Sequence, residues 1–407
     1  MATLRLSGAQ SFRIVRDLIG ALPPPRHASL RRLRHEGRVL DEALVVVFPA
    51  PRSFTGEDVV ELSVHGGRAV LVAVSNALVA LGARPAEPGE FSRRAFENGR
   101  MDLLQAEAMA DLIAAETQAQ RQQALEGGLP ETCLRWREEL RQVMAQQEAL
   151  IDFPDEDLPP EVEAALLGKI RALRDEMQAA LLGAPAAERL REGLEFVILG
   201  PPNAGKSTLL NALANEEVAI VSDIPGTTRD AVGVRLDLGG VPVRLTDTAG
   251  VRETDDVIEA EGVRRAKAKA NAADFVILVA GPSENFAPPP GGAGVVRVRT
   301  KADLAANEQE LCISAKTGLG MAQLHERLVQ EAVALTDRQG AASLARPRQV
   351  ACVRDTMIAL DMALALVEPE LRGEELRAAA QALARLAGGI GVEEILDAVF
   401  SGFCIGK

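Results

Sequence analysis

A chain of 407 residues is too long for one ordinary core, and at one domain per roughly 100 to 200 residues it predicts two to four domains. An apolar fraction of 47% against 25% charged excludes a disordered chain, while the single Trp136, the lack of tyrosine and the many Ala and Leu favour helix. Forty-five basic residues against 58 acidic ones leave a net charge of −13, which excludes general attraction to a nucleic-acid backbone, so any RNA contact must be local.

Cys133, Cys312, Cys352 and Cys404 form no C-x-x-C pair, and His27, His35, His65 and His325 are equally scattered. This argues against a disulfide framework or zinc site and for a reducing compartment. No run of about 18 apolar residues is present, and the start M-A-T-L-R-L-S-G lacks a secretory pattern, so a cytoplasmic protein with no membrane segment is expected.

In chain order, V-L-D-E-A-L-V-V-V-F-P-A and D-V-V-E-L-S-V-H-G-G, between residues 39 and 66, read as two strands around a turn-rich loop at Pro49 to Gly56. A helix to Ala80 follows, making the opening third α+β. From Met101 to Leu150 apolar residues recur at helical spacing, as in Leu104, Ala108, Leu112 and Ala115, and predict long helices. The stretch D-F-P-D-E-D-L-P-P at 152–160 interrupts them. Its carboxylates lack the glycine and ligand spacing of a calcium loop, so it reads as a solvated connection. Helix resumes from Glu161 to Glu192, and the texture then changes at E-F-V-I-L-G to strand, glycine loop, helix. A second change falls at 338–348, after which Ala and Leu periodicity returns to Leu386. The simplest account is a helical domain built from segments on both sides of an inserted α/β domain.

In that insert, G-P-P-N-A-G-K-S-T satisfies the phosphate-loop pattern through Gly200, Gly205, Lys206 and Ser207, directly after the apolar strand Phe196 to Leu199. Backbone N–H groups of such a loop cradle phosphate oxygens, Lys206 reaches the β- and γ-phosphates, and Ser207 holds Mg²⁺. In V-R-L-T-D-T-A-G, Asp247 ends a strand near the metal, and Gly250 can bring its N–H to the γ-phosphate. Between them, S-D-I-P-G-T-T-R-D offers Thr227 or Thr228 to complete the Mg²⁺ shell. T-K-A-D at 300–303 and S-A-K at 314–316 are the candidate base readers, since Asp303 can accept both guanine N–H donors, a pattern adenine lacks. They look like the fourth and fifth motifs of the Ras-like GTPases, which normally have Asn where this chain has Thr300; weaker guanine affinity with unchanged base choice is the expectation. Those enzymes also orient water with a Gln after the D-x-x-G glycine, and here Val251 stands in that place, so another group must do it. Asp255, Asp256, Glu259 and Glu261 follow closely. The expected GTP contacts are Asn203, Ala204, Gly205, Lys206, Ser207, Thr208, Ser222, Thr227, Thr228, Asp247, Thr248, Ala249, Gly250, Thr300, Lys301, Asp303, Ser314, Ala315 and Lys316.

With the motifs in this order inside a helical domain, and with F-T-G-E-D-V-V-E-L at 54–62, H-G-G at 65–67, P-G-E-F-S-R-R-A-F-E-N-G-R-M-D-L at 88–103, I-D-F-P-D-E-D at 151–157 and a terminal F-C-I-G-K, the chain resembles the MnmE (TrmE) family of tRNA modification GTPases over nearly its whole length. The resemblance implies an N-terminal α+β domain at 1–100, like tetrahydrofolate-binding proteins, for dimerisation and folate binding. It implies a discontinuous helical domain at 101–192 and 338–407, and a Ras-like G domain at 193–337. It further implies a homodimeric GTPase that binds GTP and GDP and, with the flavoprotein MnmG in a heterotetramer or larger assembly, modifies C5 of the wobble uridine of certain tRNAs with a one-carbon unit from 5-formyltetrahydrofolate or a related folate. The matching folate positions are Arg5, Glu61, Arg100 and Lys407; at Arg100 the family often has Lys, which keeps the charge but not the donor geometry. Carried over likewise, Ser207 and Thr228 hold Mg²⁺, and Asn203, Ser222, Ile224 (by its carbonyl) and Thr227 hold K⁺. Glu259 falls on the water-organising position.

Cys404 alone reads as a small hydrophobe that anchors the tail with Phe403 and Ile405; the resemblance instead makes it a catalytic thiol beside the folate pocket. Family members usually carry further residues and a glycine-rich turn ahead of I-L-R-I-S-G, whereas here Met1 stands three residues before Leu4, so a first strand is expected to be absent. Two functions stay open: the K⁺-stimulated tRNA-modifying GTPase, and a regulatory GTPase or assembly module that has lost the folate pocket and its chemistry.

Overall fold

The computed structural model describes residues 1–152, 160–215, 220, 233–247, 268–286, 288, 291, 293–304, 310–337 and 343–388. They fall into two compact units: Met1–Ala110 with the residues from Ala380 onward, and Asp111–Ala379.

The first unit is built on a four-stranded antiparallel sheet of β1 (Ala2–Ser7), β2 (Ser29–His35), β3 (Arg38–Phe48) and β4 (Val59–Val64), in the order β1-β4-β3-β2. Alternate residues of the strands, among them Leu6, Leu33, Val45 and Leu62, share a core with Ile14 and Leu18 of α1 (Ser11–Ile19) and with Val74 and Leu78 of α2 (Arg68–Ala80). The two strands and the helix expected between residues 39 and 80 are therefore present as β3, β4 and α2. The sequence reading omitted β2, whose S-L-R-R-L-R-H buries only Leu33 and so shows no alternation of apolar residues. It pairs with β3 through a two-residue turn, Glu36-Gly37, with φ of 48° and 76°; the left-handed conformation at both positions is what a tight hairpin of this twist requires.

Helices α3 (Glu90–Glu97) and α4 (Leu103–Ala114) follow. Glu90 accepts hydrogen bonds from Arg84, from Arg94 at 2.7 Å and from the N–H of Glu87 at 2.9 Å. Burial alone would raise its pKa, but those donors and the positive charge of Arg84 outweigh burial and bring it down to about 2. A carboxyl whose folded pKa is depressed contributes stability that is complete above the ordinary 4.5 and is lost as pH falls from there towards 2. Thermal unfolding from pH 5 down to 3 should therefore weaken the parental protein more steeply than Glu90→Gln. Parallel profiles would remove this ion network from the account of acid sensitivity.

The second unit joins helices to a mainly parallel sheet. The periodic stretch 101–150 divides into α4, α5 (Gln118–Glu126) and α6 (Leu129–Asp152); Thr117 caps α5 in a capping box with Gln120. Helix α7 (Pro160–Glu192) packs against α6 and leads through Gly193, at φ 84°, into β5 (Leu194–Leu199). Residues 153–159, read as a solvated connection, lie outside the described residues. The sheet adds β6 (Gly233–Leu238), β7 (Val241–Asp247), β8 (Phe275–Ala280), β9 (Gly294–Arg299) and the short β10 (Leu311–Cys312), in the order β10-β9-β8-β5-β7-β6. All neighbours are parallel except β6 with β7. β8, F-V-I-L-V-A, is buried at every position, as a central parallel strand covered on both faces must be. Phe196 and Ile277 of the sheet share a core with Leu209 of α8 (Lys206–Ala214) and with Leu324 and Leu328 of α9 (Met321–Thr336). Helix α10 (Pro347–Ala365) returns to pack on α7, and α11 (Pro369–Leu386) follows. Helical segments thus flank an α/β insert on both sides. Among the described residues, no helix is long and apolar enough to cross a membrane.

Candidate functional site

In an open parallel sheet, ligands bind beyond the carboxyl ends of the strands, where connections diverge. Here β5 ends in the phosphate loop, β7 ends on Asp247, β9 runs into Thr300, and β10 leads to Ser314, so the described motifs gather at one edge.

The loop geometry explains its glycines. A Cβ at Gly200 would stand 2.1 Å from the carbonyl oxygen of Val279, which admits no side chain, and Gly205 takes φ 91° as it turns the chain into α8. Lys206 folds back over the loop and donates to the carbonyls of Gly200 at 2.9 Å and Pro201 at 2.8 Å. Burial lowers its pKa, opposed by the charges of Asp247 and Glu284. Ser207 donates to Asp247 at 2.6 Å, bringing together the two oxygen groups expected near a divalent cation. Thr208 is exposed in the first turn of α8.

The candidate base-reading segments are tied to this loop from the other side. The Thr300 hydroxyl lies 2.6 Å from the carbonyl oxygen of Ala204, and Lys301 donates to the carbonyl of Asn203 at 2.9 Å. Asn203 and Lys301 both take left-handed φ, 62° and 59°, an uncommon conformation for residues with a side chain and one that collects at functional sites. Asp303 is exposed, and its pKa is lowered first by the Ser314 hydroxyl and, more weakly, by the charge of Lys316. The carboxylate that ends T-K-A-D is thus held by the serine of S-A-K, whose next residue, Ala315, is half-buried.

In the N-terminal unit, Arg5 and Glu61 are direct partners across β1 and β4 and form an ion pair at 2.7 Å. The Arg5 guanidinium lies 5.5 Å from the ring centre of Phe54 and 5.8 Å from that of Phe91. Arg100 is exposed beside Gly56, where a Cβ would approach its Cγ to 3.2 Å. A cavity of about 570 Å³ runs along β1, with Arg5, Gln10, Glu90, Phe91 and Arg94 in its wall. The sequence reading did not single out Phe54, Phe91 or Arg94, although all three belong to the F-T-G-E-D and P-G-E-F-S-R-R strings it quoted. Ser222, Ile224, Thr227, Thr228, Thr248, Ala249, Gly250, Glu259, Cys404 and Lys407 lie outside the described residues.

A family model described as "GTP-binding protein TrmE N-terminus" matches residues 1–100, and one described as "MnmE helical domain" matches residues 103–404. The chain belongs to the MnmE (TrmE) family. The tRNA modification GTPase MnmE of Acidiphilium cryptum (strain JF-5) is 60% identical over 415 residues, covering 100% of this chain and 96% of the relative. Those of Gluconacetobacter diazotrophicus and Granulibacter bethesdensis are 53% and 51% identical, again over 100% of this chain and 96% of each relative. The MnmE helical match spans the whole phosphate-loop sheet, in keeping with an α/β insert between helical segments.

Proposed function

We propose that this chain is a K⁺-stimulated GTPase that, with the flavoprotein MnmG, modifies C5 of the wobble uridine (position 34) of certain tRNAs, giving an aminomethyl-type (carboxymethylaminomethyl) group from a folate-derived one-carbon unit. It is a tRNA modification GTPase by family; the K⁺ stimulation, MnmG partnership and folate chemistry are the finer reading. The observation that carries the GTPase chemistry is the convergence of Lys206, Ser207, Asp247, Thr300 and Asp303 on one sheet edge.

The residues fit the groups the reading needs. Ser207 and Asp247 supply the hard oxygen donors that Mg²⁺ takes, with Thr228 as a further ligand; when bound, the ion neutralises charge on the β- and γ-phosphates. Asn203, exposed at the loop, is the described member of the K⁺ set completed by Ser222, Ile224 and Thr227, and Glu259 is the water-organising group. The N-terminal cavity has the size of small-molecule sites, about 300 to 1,000 Å³. Beside it the Glu61 carboxylate can accept the paired N–H donors of a pterin ring, Phe54 and Phe91 flank Arg5, and Arg100 and Lys407 add positive charge for the folate carboxylates. Cys404 is the catalytic thiol of this reading. The same reading makes the protein a cytoplasmic homodimer that forms a heterotetramer or larger assembly with MnmG, with an N-terminal domain at 1–100, helical segments at 101–192 and 338–407, and a G domain at 193–337.

The test is complementation of a deletion strain, with wobble uridines read by mass spectrometry and GTP hydrolysis assayed in K⁺ and Na⁺. The parental chain should restore the modified base and hydrolyse GTP only in K⁺, and Cys404→Ser should lose the base but keep the K⁺-stimulated hydrolysis. Hydrolysis without restoration of the base by the parental chain would leave the regulatory GTPase as the better reading. Equal rates in the two salts would remove the cation.

A further inference from the structure

The acidic chain carries a strongly basic stretch on an edge strand of its N-terminal unit. Residues 26–38, R-H-A-S-L-R-R-L-R-H-E-G-R, hold five arginines against one glutamate, a net charge of +4 in a chain of −13, so the remainder carries −17. The stretch contains all of β2, an edge strand, and the hairpin turn into β3. Seven residues at about 3.3 Å each extend it over roughly 23 Å.

Its arginines are mostly not engaged with carboxylates. Arg32 pairs with Glu42 across the hairpin, but among the described residues no acidic partner lies within ion-pair range of Arg31, Arg34 or Arg38. Arg34 and Arg38 are exposed at the hairpin end, and Arg31 is half-buried further along the strand, where it donates to the carbonyl of Leu30. At the far end Arg26 bonds the carbonyl of Arg52, itself exposed, and lies over the Phe48 ring.

We infer that this edge is a docking surface for the phosphate backbone of the tRNA substrate, with Arg31, Arg34 and Arg38 as its principal contacts; the inference rests on the proposal that the chain acts on tRNA. Guanidiniums that have no carboxylate partner among the described residues, gathered along one edge strand and its turn, localise an attraction that the net charge of the chain opposes, and guanidinium forks match phosphate oxygens bidentately. Basic residues on an edge strand also deter strand-to-strand association, a role that requires no RNA. The two roles differ in their salt dependence, because each phosphate neutralised adds about 0.7 to 0.9 to the slope of log K against log salt.

The experiment measures binding of an unmodified tRNA transcript to the full chain, by fluorescence anisotropy from 50 to 200 mM salt. Arg31→Gln/Arg34→Gln/Arg38→Gln should bind about tenfold more weakly at 100 mM salt, with a slope shallower by about 2 to 3. Its GTP hydrolysis without tRNA and its melting temperature should match the parental protein. If the triple variant fails to fold, the single Arg34→Glu, at an exposed turn-proximal site, must show a weaker binding constant and a shallower slope. Parental affinity and slope in the variants overturn the inference, as does association of the variants beyond the parental oligomeric state with unchanged tRNA binding, which would assign the arginines to edge protection. Loss of binding to phosphatidylglycerol vesicles with tRNA binding intact would assign the surface to a membrane and equally overturn it. Absence of tRNA binding by the parental chain overturns it too, whereas rescue of the wobble base in the deletion strain would still support the proposed function.

Discussion

Lys206→Ala is expected to reduce kcat for GTP hydrolysis by about a hundredfold or more, the usual cost of removing one preorganised group aimed at developing transition-state charge. Its ammonium is among the few buried cations of the described chain, at 7% exposure, and is wrapped onto the carbonyls of Gly200 and Pro201. Burial sets its pKa below the ordinary lysine value. The folded protein thus holds this proton less tightly than the unfolded chain. Below its folded pKa the lysine opposes folding, an opposition that fades as pH rises towards the unfolded value. Removing a purely structural group would lower the melting temperature; removing this one should not, while nucleotide binding and turnover fall together. Lys206→Arg should fail to rescue, because a planar guanidinium does not replace a compact ammonium inside the turn of the loop. Hydrolysis within threefold of the parental rate in Lys206→Ala would mean that phosphate charge is met elsewhere.

How far this site was legible in the sequence depends on which physical signal each part leaves there. The phosphate loop leaves a strong one, since Gly200 admits no Cβ and Gly205 must turn left-handed before α8. β8 leaves another, as an unbroken apolar run. The ends of α7 and β5 fell where the composition changes, because a helix exposed on one side and a buried strand need different patterns. β2 left no such trace: an edge strand that buries one leucine among arginines looks like a polar loop. The break between α4 and α5 was written in T-Q-A-Q, a capping box with Thr117 and Gln120, yet apolar periodicity running through it reads as continuous helix. Pairings across the fold were the least legible. Arg5 faces Glu61 only because β1 and β4 are neighbours in a particular register, and Phe54 and Phe91 meet Arg5 from loop and helix respectively. Spacing along the chain encodes none of these. Family resemblance supplied Arg5 and Glu61 as positions, and the fold supplies their contact.

Thr300→Val should weaken GDP binding by up to about 150-fold, the limit reached where the cost of a stranded buried acceptor, about 1 to 3 kcal/mol, falls wholly on the nucleotide-bound state. The sequence alone suggested that threonine in place of asparagine weakens the site. The structure shows what the threonine does: its hydroxyl, in a residue only 4% exposed, lies 2.6 Å from the Ala204 carbonyl oxygen and 3.2 Å from that of Ala280, and its single proton goes to the nearer. That bond ties the T-K-A-D loop to the phosphate loop, and the Lys301 to Asn203 bond makes a second tie. Valine keeps the volume and branching, removes the first tie and strands the Ala204 carbonyl. Thr300→Ser should retain parental affinity through its hydroxyl, and Thr300→Asn should match or tighten it, because a side-chain amide can also donate across the loops. In the proposed reading Asp303 sets base choice, so all three variants should still prefer GDP to ADP. Dissociation constants from titration with a fluorescent GDP separate these cases: a valine variant that binds like the parent would show that the loops stay joined without the hydroxyl, and an asparagine variant that binds more weakly would show that the site is built around threonine.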